Sequence, residues 1–260
     1  MKPFRVALVG TSGAGKSTTA KLLRDWTGWM VLSGVRSHES VTGPLWDLSL
    51  SLEAASALAD RCDSADLKLL TSYLKLCMFG PMERFCADAY APDVVIADQH
   101  PLVDAAVELP VSGHRLTFGD MRPFLRMIDA VGRPQIVAWA DAQARRLGRA
   151  LEPRDFVIEL ARLSSLRLAD RLQALQNLLN CELPDLIVHL DVATETARRR
   201  AEKRDGAGDR DLMADPEERA RYSDLLAHLD PTPVVRIDVG TRSPDAIASL
   251  TLQAIRAAKG

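Results

Sequence analysis

Five short, mostly apolar runs recur along the chain, separated by longer stretches that mix apolar and polar residues. The runs occupy residues 4–9, 29–32, 94–97, 186–190 and 234–239. Runs of this length without strict alternation are typical of strands buried on both faces of a sheet. We therefore predict five buried strands.

The longer stretches place apolar residues at the three- and four-residue spacing of amphipathic helices. They cover residues 17–26, 50–59, 67–90, 154–181, 194–203, 216–229 and 244–258. Gly80 and Pro81 predict a kink in the 67–90 helix, whereas 154–181 is predicted to be one continuous helix. Residues 101–153 mix short helical pieces with several prolines, and we expect 101–180 to be a helical region on the acceptor side.

This alternation of strands and helices predicts an α/β protein with a five-stranded, mainly parallel sheet covered by helices on both faces. The chain has 260 residues and shows neither an internal repeat nor a low-complexity linker. A single domain spanning residues 1–260 is the simplest organisation for a chain of this length.

Composition narrows the class of protein. Hydrophobic residues make up 47% and charged residues 26%, and the formal net charge is -2, so there is no general attraction to nucleic acid or to anionic membranes. The four cysteines are far apart and form no C-x-x-C pair, as expected of reduced thiols inside a cell. No secretory signal or membrane-spanning run is present, so we expect a cytoplasmic protein.

The first apolar run leads directly into GTSGAGKST, residues 10–18. Gly10, Gly15, Lys16 and Ser17 satisfy the pattern G-x-x-x-x-G-K-[ST], in which backbone N–H groups and a lysine surround the phosphates of a nucleotide. A plain tight turn between a strand and a helix is the alternative, but the complete motif in its strand–helix context favours a phosphate loop.

The phosphate loop predicts bound ATP and Mg²⁺. Lys16 would reach the outer phosphates, and the Ser17 hydroxyl would ligate Mg²⁺. No guanine-reading N-K-x-D motif follows, and no apolar run ends in the Asp-Glu pair of ATPase motors. The predicted nucleotide-binding residues are Gly10, Ser12, Gly13, Ala14, Gly15, Lys16, Ser17 and Thr18.

An arginine-rich stretch follows the fourth apolar run. Arg200 and Arg204 are four residues apart on one helical face, and Arg210 lies beyond the glycines of DGAGDRD. Such a segment can close over a phosphate as a cationic lid at about 204–216, which places these three arginines among the catalytic residues. The alternative is a solvated helix with salt bridges.

In this combination the chain resembles the deoxynucleoside kinase and thymidylate kinase families. The resemblance rests on GTSGAGKST, VVIADQH, PDLIVHLDVATETARRRAEKR followed by DR, and VVRIDVGTRSPDAIASLTLQAI. These segments cover the first and last thirds of the chain, and residues 101–180 match only loosely. The resemblance implies a P-loop fold with a five-stranded parallel sheet, an arginine lid and Mg-ATP as phosphoryl donor.

Two positions depart from the family pattern. The arginine that usually follows the acidic residue of the third strand is replaced by Gln99, and the glutamate expected at the end of the second strand aligns with Gly34. The acceptor site is therefore altered. The candidates for binding the acceptor are Arg36, His38, Glu39, Gln99 and His100.

Asp98 is the first candidate for the group that orients the acceptor hydroxyl, because it ends a buried strand at the ligand-binding edge of the sheet. Alternatively, Asp98 is a metal-site residue that lies near Mg²⁺. A third reading is a helix N-cap ahead of Pro101.

These observations predict an ATP-dependent kinase that phosphorylates a nucleoside, a nucleotide or a nucleoside-like compound. Because the acceptor arginine is missing, a modified nucleoside or a modified base in DNA is also an option. A homodimer through the predicted helices 67–90 and 154–181 follows from the family resemblance alone. The alternative function is a regulatory NTP-binding switch or an ATPase without a small acceptor.

Overall fold

The computed structural model describes residues 2–39, 43–113, 134–148, 153–205 and 216–260. Five strands are present in these residues: β1 Phe4–Val9, β2 Met30–Ser33, β3 Val94–Asp98, β4 Leu186–Asp191 and β5 Val234–Asp238. All neighbouring strands are parallel, in the order β2-β3-β1-β4-β5. The predicted five-stranded parallel sheet is therefore confirmed.

The helices are numbered here in chain order. They are α1 Lys16–Thr27, α2 Trp46–Arg61, α3 Ala65–Leu76, α4 Phe79–Tyr90, α5 Pro101–Gly113, α6 Pro134–Arg146, α7 Pro153–Ser164, α8 Leu168–Leu179, α9 Thr194–Asp205, α10 Pro216–Ala227 and α11 Pro244–Lys259. A single 3₁₀ turn, Ser37–Glu39, follows β2. None of the helices in the described residues is long and apolar enough to cross a membrane.

The chain divides into two compact units, each assembled from separate segments. Unit 1 contains Met1–Ser33, Cys86–Val107 and Leu183–Gly260, and unit 2 contains Gly34–Phe85 and Glu108–Glu182. The single-domain organisation expected from the sequence stays a prediction.

Unit 1 is built around the parallel sheet. The inner strands β1, β3 and β4 carry fully buried apolar side chains, including Leu8, Ile96 and Val188. Helices α1 and α11 pack against each other, and α11 also covers β4 and β5. This core holds the carboxyl ends of the strands at one edge, where ligands bind in sheets of this kind.

Unit 2 is helical. Helix α2 packs on α3 and α6, and α7 packs on α3 and α8. The rings of Tyr73 and Phe156 meet at its centre, with their centroids 5.1 Å apart. Between residues 101 and 180, the described residues form helices α5 to α8, and the assignment of this region to the acceptor side stays a prediction.

Two predicted helices are each divided in the structure. The 67–90 stretch forms α3 and α4, and Pro81 lies in the first turn of α4, where its missing N–H costs little. The 154–181 stretch forms α7 and α8. The Ser164 and Ser165 hydroxyls donate to the carbonyls of Ala161 and Arg162, which ends α7.

The thiols of Cys62, Cys77, Cys86 and Cys181 are all free, as predicted. Three of them are buried, and Cys62 is exposed. Burial raises the pKa of Cys77 to about 12, so this thiol stays protonated and unreactive.

Candidate functional site

The motif GTSGAGKST forms the connection between β1 and α1. Its three glycines, Gly10, Gly13 and Gly15, all have positive φ angles, of 142°, 78° and 93°. The N–H of Ala14 donates to the Thr11 carbonyl at 3.2 Å, which closes a tight turn inside the loop. The backbone therefore adopts the glycine-dependent path that turns N–H groups toward a phosphate at a helix N-terminus.

Two of the glycines are required by close packing as well as by backbone angle. A Cβ on Gly10 would lie 2.4 Å from the Leu190 carbonyl oxygen, and one on Gly13 would lie 2.4 Å from that of Ala197. Around Gly15, by contrast, none of the described atoms lies within 4 Å of such a Cβ. The loop thus rests on β4 and α9 and is open at its helix end.

Lys16 folds back over the loop. Its Nζ donates to the carbonyls of Gly10 and Thr11, at 2.6 and 3.1 Å. Ser17 and Thr18 lie exposed on the first turn of α1. The buried Thr11 hydroxyl has no hydrogen-bond partner among the described residues. The loop therefore presents a cation and two accessible hydroxyls beside a helix N-terminus, which is suitable for a polyphosphate.

The end of β3 brings Asp98 to the same edge of the sheet. Asp98 pairs in register with Leu8 of β1 and with Ser33 of β2. Leu8 lies two residues before the phosphate loop begins. Gln99 follows with a φ of 68°, and His100 is buried, with its carbonyl accepting from the Asp104 N–H at the start of α5. Asp98 and the phosphate loop thus lie on adjacent strands.

The predicted lid is only partly described. Arg200 lies on α9, and its Nη2 donates to the Gly240 carbonyl in the loop after β5, at 3.0 Å. The side chain of Arg204 and the whole of Arg210 fall outside the described residues, as does the segment 206–215. The catalytic roles given to these arginines therefore stay predictions.

The sequence did not indicate a cluster of one carboxylate and two arginines at the end of β4. Arg219 of α10 donates to both oxygens of Asp191, at 2.7 and 2.8 Å, and Arg236 of β5 donates to Oδ2 from its Nε at 3.1 Å. These hydrogen bonds, the Arg219 pair first, hold the pKa of Asp191 well below its usual range. We call these three residues the Asp191 cluster. Asp191 follows an apolar run in the sequence, as Asp98 does. This position at the end of a predicted strand is the signal that could have indicated Asp191 as a site residue.

His189 lies buried in β4 directly before this cluster, opposite Val9 of β1. Burial first, and then the positive charges of Arg236, Arg219 and Lys16, lower its pKa to about 4 against the opposing effect of Asp191. Lys16 and the two cluster arginines thus all act on the ring of His189.

Tyr222 stacks on His189, with ring centroids 5.9 Å apart and planes inclined by 24°. Its hydroxyl donates to Asp104 Oδ1 of α5 at 2.6 Å, and both side chains are buried. Tyr222 lies three residues after Arg219 on α10. This contact fixes the position of α10, the helix on which Arg219 reaches Asp191.

The remaining acceptor candidates belong to unit 2. Arg36 Nη1 lies 3.3 Å from Glu39 Oε1, and His38 Nδ1 lies 2.8 Å from the Ser49 hydroxyl. Arg36 and Glu39 thus begin a polar network, and His38 bonds separately to Ser49.

This network continues to two residues that the sequence did not indicate. Glu53 Oε2 accepts from the nearly buried Lys75 ammonium at 2.7 Å, and Glu53 Oε1 lies 4.0 Å from Arg36. Burial opposes ionisation of Glu53, but Lys75 and Arg36 bring its pKa below the ordinary value. Burial lowers the pKa of Lys75, against the effect of Glu53.

The residues at the phosphate loop fit Mg²⁺. No group of three or more metal-ligating side chains occurs in the described part of the chain. Magnesium on a nucleotide does not need one, because phosphates and waters supply most of its ligands. The exposed Ser17 hydroxyl at the helix N-terminus is of the type required, and Asp98 supplies a carboxylate at the same sheet edge.

Comparison with known proteins supports the fold of this chain and nothing finer than the fold. Neither the family models nor the curated proteins yield a match. Among solved structures, deoxyadenosine kinase from M. mycoides with the products dCMP and a flexible dCDP bound is 13% identical, with a TM-score of 0.52 over 98% of this chain and 100% of that one. The same kinase with bound dCTP is 13% identical, with a TM-score of 0.50 over the same shares.

Thymidylate kinase from Candida albicans is 16% identical, with a TM-score of 0.48 over 99% of this chain and 93% of that one. The first two superpositions carry the fold comparison. This chain shares the α/β fold of that deoxyadenosine kinase, with its parallel five-stranded sheet between helices.

Proposed function

We propose that the protein is a Mg-ATP-dependent phosphotransferase that moves the γ-phosphoryl group of ATP to a nucleoside, a nucleotide or a nucleoside-like acceptor. The observation that carries this proposal is the glycine-shaped loop with Lys16 folded over it, at the carboxyl edge of a parallel sheet. The likeness in fold to a deoxyadenosine kinase supports the same class of reaction.

The residues take the following roles. Backbone N–H groups of residues 10–18 and the Lys16 ammonium bind the phosphates, and the Ser17 hydroxyl would ligate Mg²⁺. In its alternative role Asp98 would hold a water of Mg²⁺ instead of acting on the acceptor. When bound, Mg²⁺ would supply positive charge beside the phosphates. Asp98 orients the acceptor hydroxyl and takes its proton, and Arg200, Arg204 and Arg210 stabilise the charge on the transferring group.

Acceptor recognition is assigned to the five residues predicted from the sequence: Arg36, His38, Glu39, Gln99 and His100. The polar network that joins Arg36 to Glu53 and Lys75 supports a polar acceptor. A modified nucleoside is preferred to a modified base in DNA, because a net charge of -2 gives no general attraction to a nucleic acid backbone.

A transfer screen with γ-labelled ATP tests this function. Nucleosides, nucleoside monophosphates and DNA with modified bases are offered separately, and label on the acceptor is the expected result. Lys16→Ala should abolish both ATP binding and transfer, whereas Lys21→Ala, an exposed lysine on the same helix, should change neither. Hydrolysis stimulated by a protein, with no labelled acceptor from any class, would instead favour a regulatory switch.

A further inference from the structure

The Asp191 cluster offers more N–H donors than its carboxylate can accept. One buried carboxylate, with 5% of its side chain exposed, is shared by two arginines, and Asp238, beside it in register on β5, also acts on Arg219 by its charge. A single bidentate arginine already satisfies both oxygens of a carboxylate. The second guanidinium therefore brings more hydrogen-bond donors to this position than Asp191 can accept.

Both arginines keep hydrogen-bond donors for a ligand. The side chains of Arg219 and Arg236 are 40% and 55% exposed, although the carboxylate between them is buried. Each binds Asp191 through Nε and Nη2, and the described residues give the Nη1 group of neither arginine a partner. Two oriented guanidinium groups thus present free N–H donors, the geometry that proteins use for phosphate.

The cluster lies beside the phosphate loop. Asp191 directly follows Leu190, whose carbonyl oxygen is in contact with Gly10, and Arg219, Arg236 and Lys16 all lower the pKa of the same His189. The backbone N–H groups of the loop suit the inner phosphates of a nucleotide. The terminal phosphate lies farthest from those amides and needs cationic side chains.

Arg219 is the better positioned of the two arginines. It binds both oxygens of Asp191, whereas Arg236 binds only Oδ2 from an edge strand. Tyr222, one turn farther along α10, is anchored to Asp104. Asp191 and Tyr222 together hold the Arg219 guanidinium in place before any ligand arrives, so little side-chain entropy is lost on binding.

We infer that Arg219 contacts the terminal phosphate of the bound nucleoside triphosphate, and that Asp191 is the positioning residue that aims it. This inference rests on the proposed function. It adds a phosphate-contacting residue outside the predicted lid and makes the site distinguish a triphosphate from a diphosphate. The contact is a charge-assisted hydrogen bond that a diphosphate, lacking the terminal group, cannot make.

Binding of fluorescent ATP and ADP analogues tests the inference, with each Kd measured at one salt concentration. Arg219→Gln should weaken ATP binding about tenfold or more and ADP binding less than about twofold. Arg198→Gln is the matched control, because Arg198 forms an exposed pair with Glu195 on the surface of α9 and should change neither Kd. Equal losses for ATP and ADP, or no loss, would overturn the inference.

Two further variants separate this result from misfolding and from failure of the proposed function. If Arg219→Gln is unfolded at the assay temperature by circular dichroism, Arg219→Lys replaces it, since lysine keeps the charge but cannot bind both Asp191 oxygens. The ATP preference should then fall at least about threefold, and an unchanged preference overturns the inference. The proposed function is tested separately by Lys16→Ala. If the unaltered protein binds both nucleotides and Lys16→Ala binds neither, the proposed function is supported whatever the result for Arg219.

Discussion

The hydroxyl of Tyr222 donates a 2.6 Å hydrogen bond to Oδ1 of Asp104, although the two residues lie 118 positions apart in the chain. Both side chains are buried, and the ring of Tyr222 also stacks on His189. One residue of α10 therefore ties this helix to α5 and to β4. The position of Arg219, three residues earlier, depends on this contact.

Tyr222→Phe should destabilise the protein by about 1–3 kcal/mol, because a buried carboxylate oxygen loses its donor. Urea unfolding followed by circular dichroism measures the free energy of unfolding. Tyr90→Phe serves as the control, since Tyr90 is 52% exposed, and should cost less than about 0.5 kcal/mol. An equal effect of the two substitutions would contradict the anchoring role of Tyr222.

Gly13→Ala should weaken ATP binding about tenfold or more, because the added Cβ meets the Ala197 carbonyl oxygen at 2.4 Å and must displace the loop. Gly28→Ala is the matched control. Gly28 also has a positive φ, of 71°, but no described atom lies within 4 Å of its Cβ position. The control should lose about 1 kcal/mol of stability and keep its ATP affinity. ATP titrations in which Gly13→Ala binds as tightly as the unaltered protein would contradict the packing argument.

Stability should fall with acid between pH 6.5 and pH 4 because of His189. Its folded pKa of about 4 lies below the ordinary 6.5, so the unfolded chain binds more protons in this window and stability decreases as pH falls. The full effect is about 3 kcal/mol, of which about 2 kcal/mol is lost by pH 5.

The His189→Phe variant keeps an aromatic ring against Tyr222 and removes the titration. Its loss of stability between pH 7 and pH 5 should be smaller than that of the unaltered protein by about 2 kcal/mol. His228→Gln, at a side chain that is 64% exposed, should show the unaltered loss. Identical pH dependence of His189→Phe and the unaltered protein in urea unfolding would rule out His189 as the source.

Glu53→Gln should destabilise unit 2 by about 1–2 kcal/mol, because the nearly buried Lys75 ammonium loses the negative charge that it pairs with. The loss is limited because Glu53 is half-exposed, so water can solvate part of the lysine charge. Asp60→Asn is the control, since the Lys68–Asp60 pair is exposed on both sides and is worth less than about 1 kcal/mol. Thermal unfolding of both variants gives the comparison. A larger loss for Asp60→Asn would contradict the importance of burial.

The inner strands β1, β3 and β4 were predictable because they are largely buried, and burial leaves a continuous apolar run that is visible without any knowledge of the partner strands. The edge strands β2 and β5 are less buried but also have short, mostly apolar sequences. The phosphate loop was predictable for a related reason. Its glycines are dictated by local backbone angles, and its lysine and serine follow at fixed positions. Local backbone geometry depends on consecutive residues, so it can be predicted from the sequence.

The division of the long helices was not predictable in the same way. A Cβ on Gly80 would lie 2.2 Å from the Asn180 carbonyl oxygen, so the glycine serves the close approach of α4 to the end of α8. From the sequence alone, the same Gly80-Pro81 pair was interpreted as a kink within one helix. The contact that decides between the two interpretations spans 100 residues.

The sequence by itself determined the order of strands and helices, the parallel sheet and the phosphate loop, because each of these depends on residues close together in the chain. Only the tertiary structure decided that Asp191 gathers Arg219 and Arg236, and that Lys75 lies buried against Glu53. An arginine or a lysine in the sequence is compatible with any acidic partner. Its actual partner is fixed by which strands and helices the folded core brings together, since burial makes an unpaired charge too costly to leave.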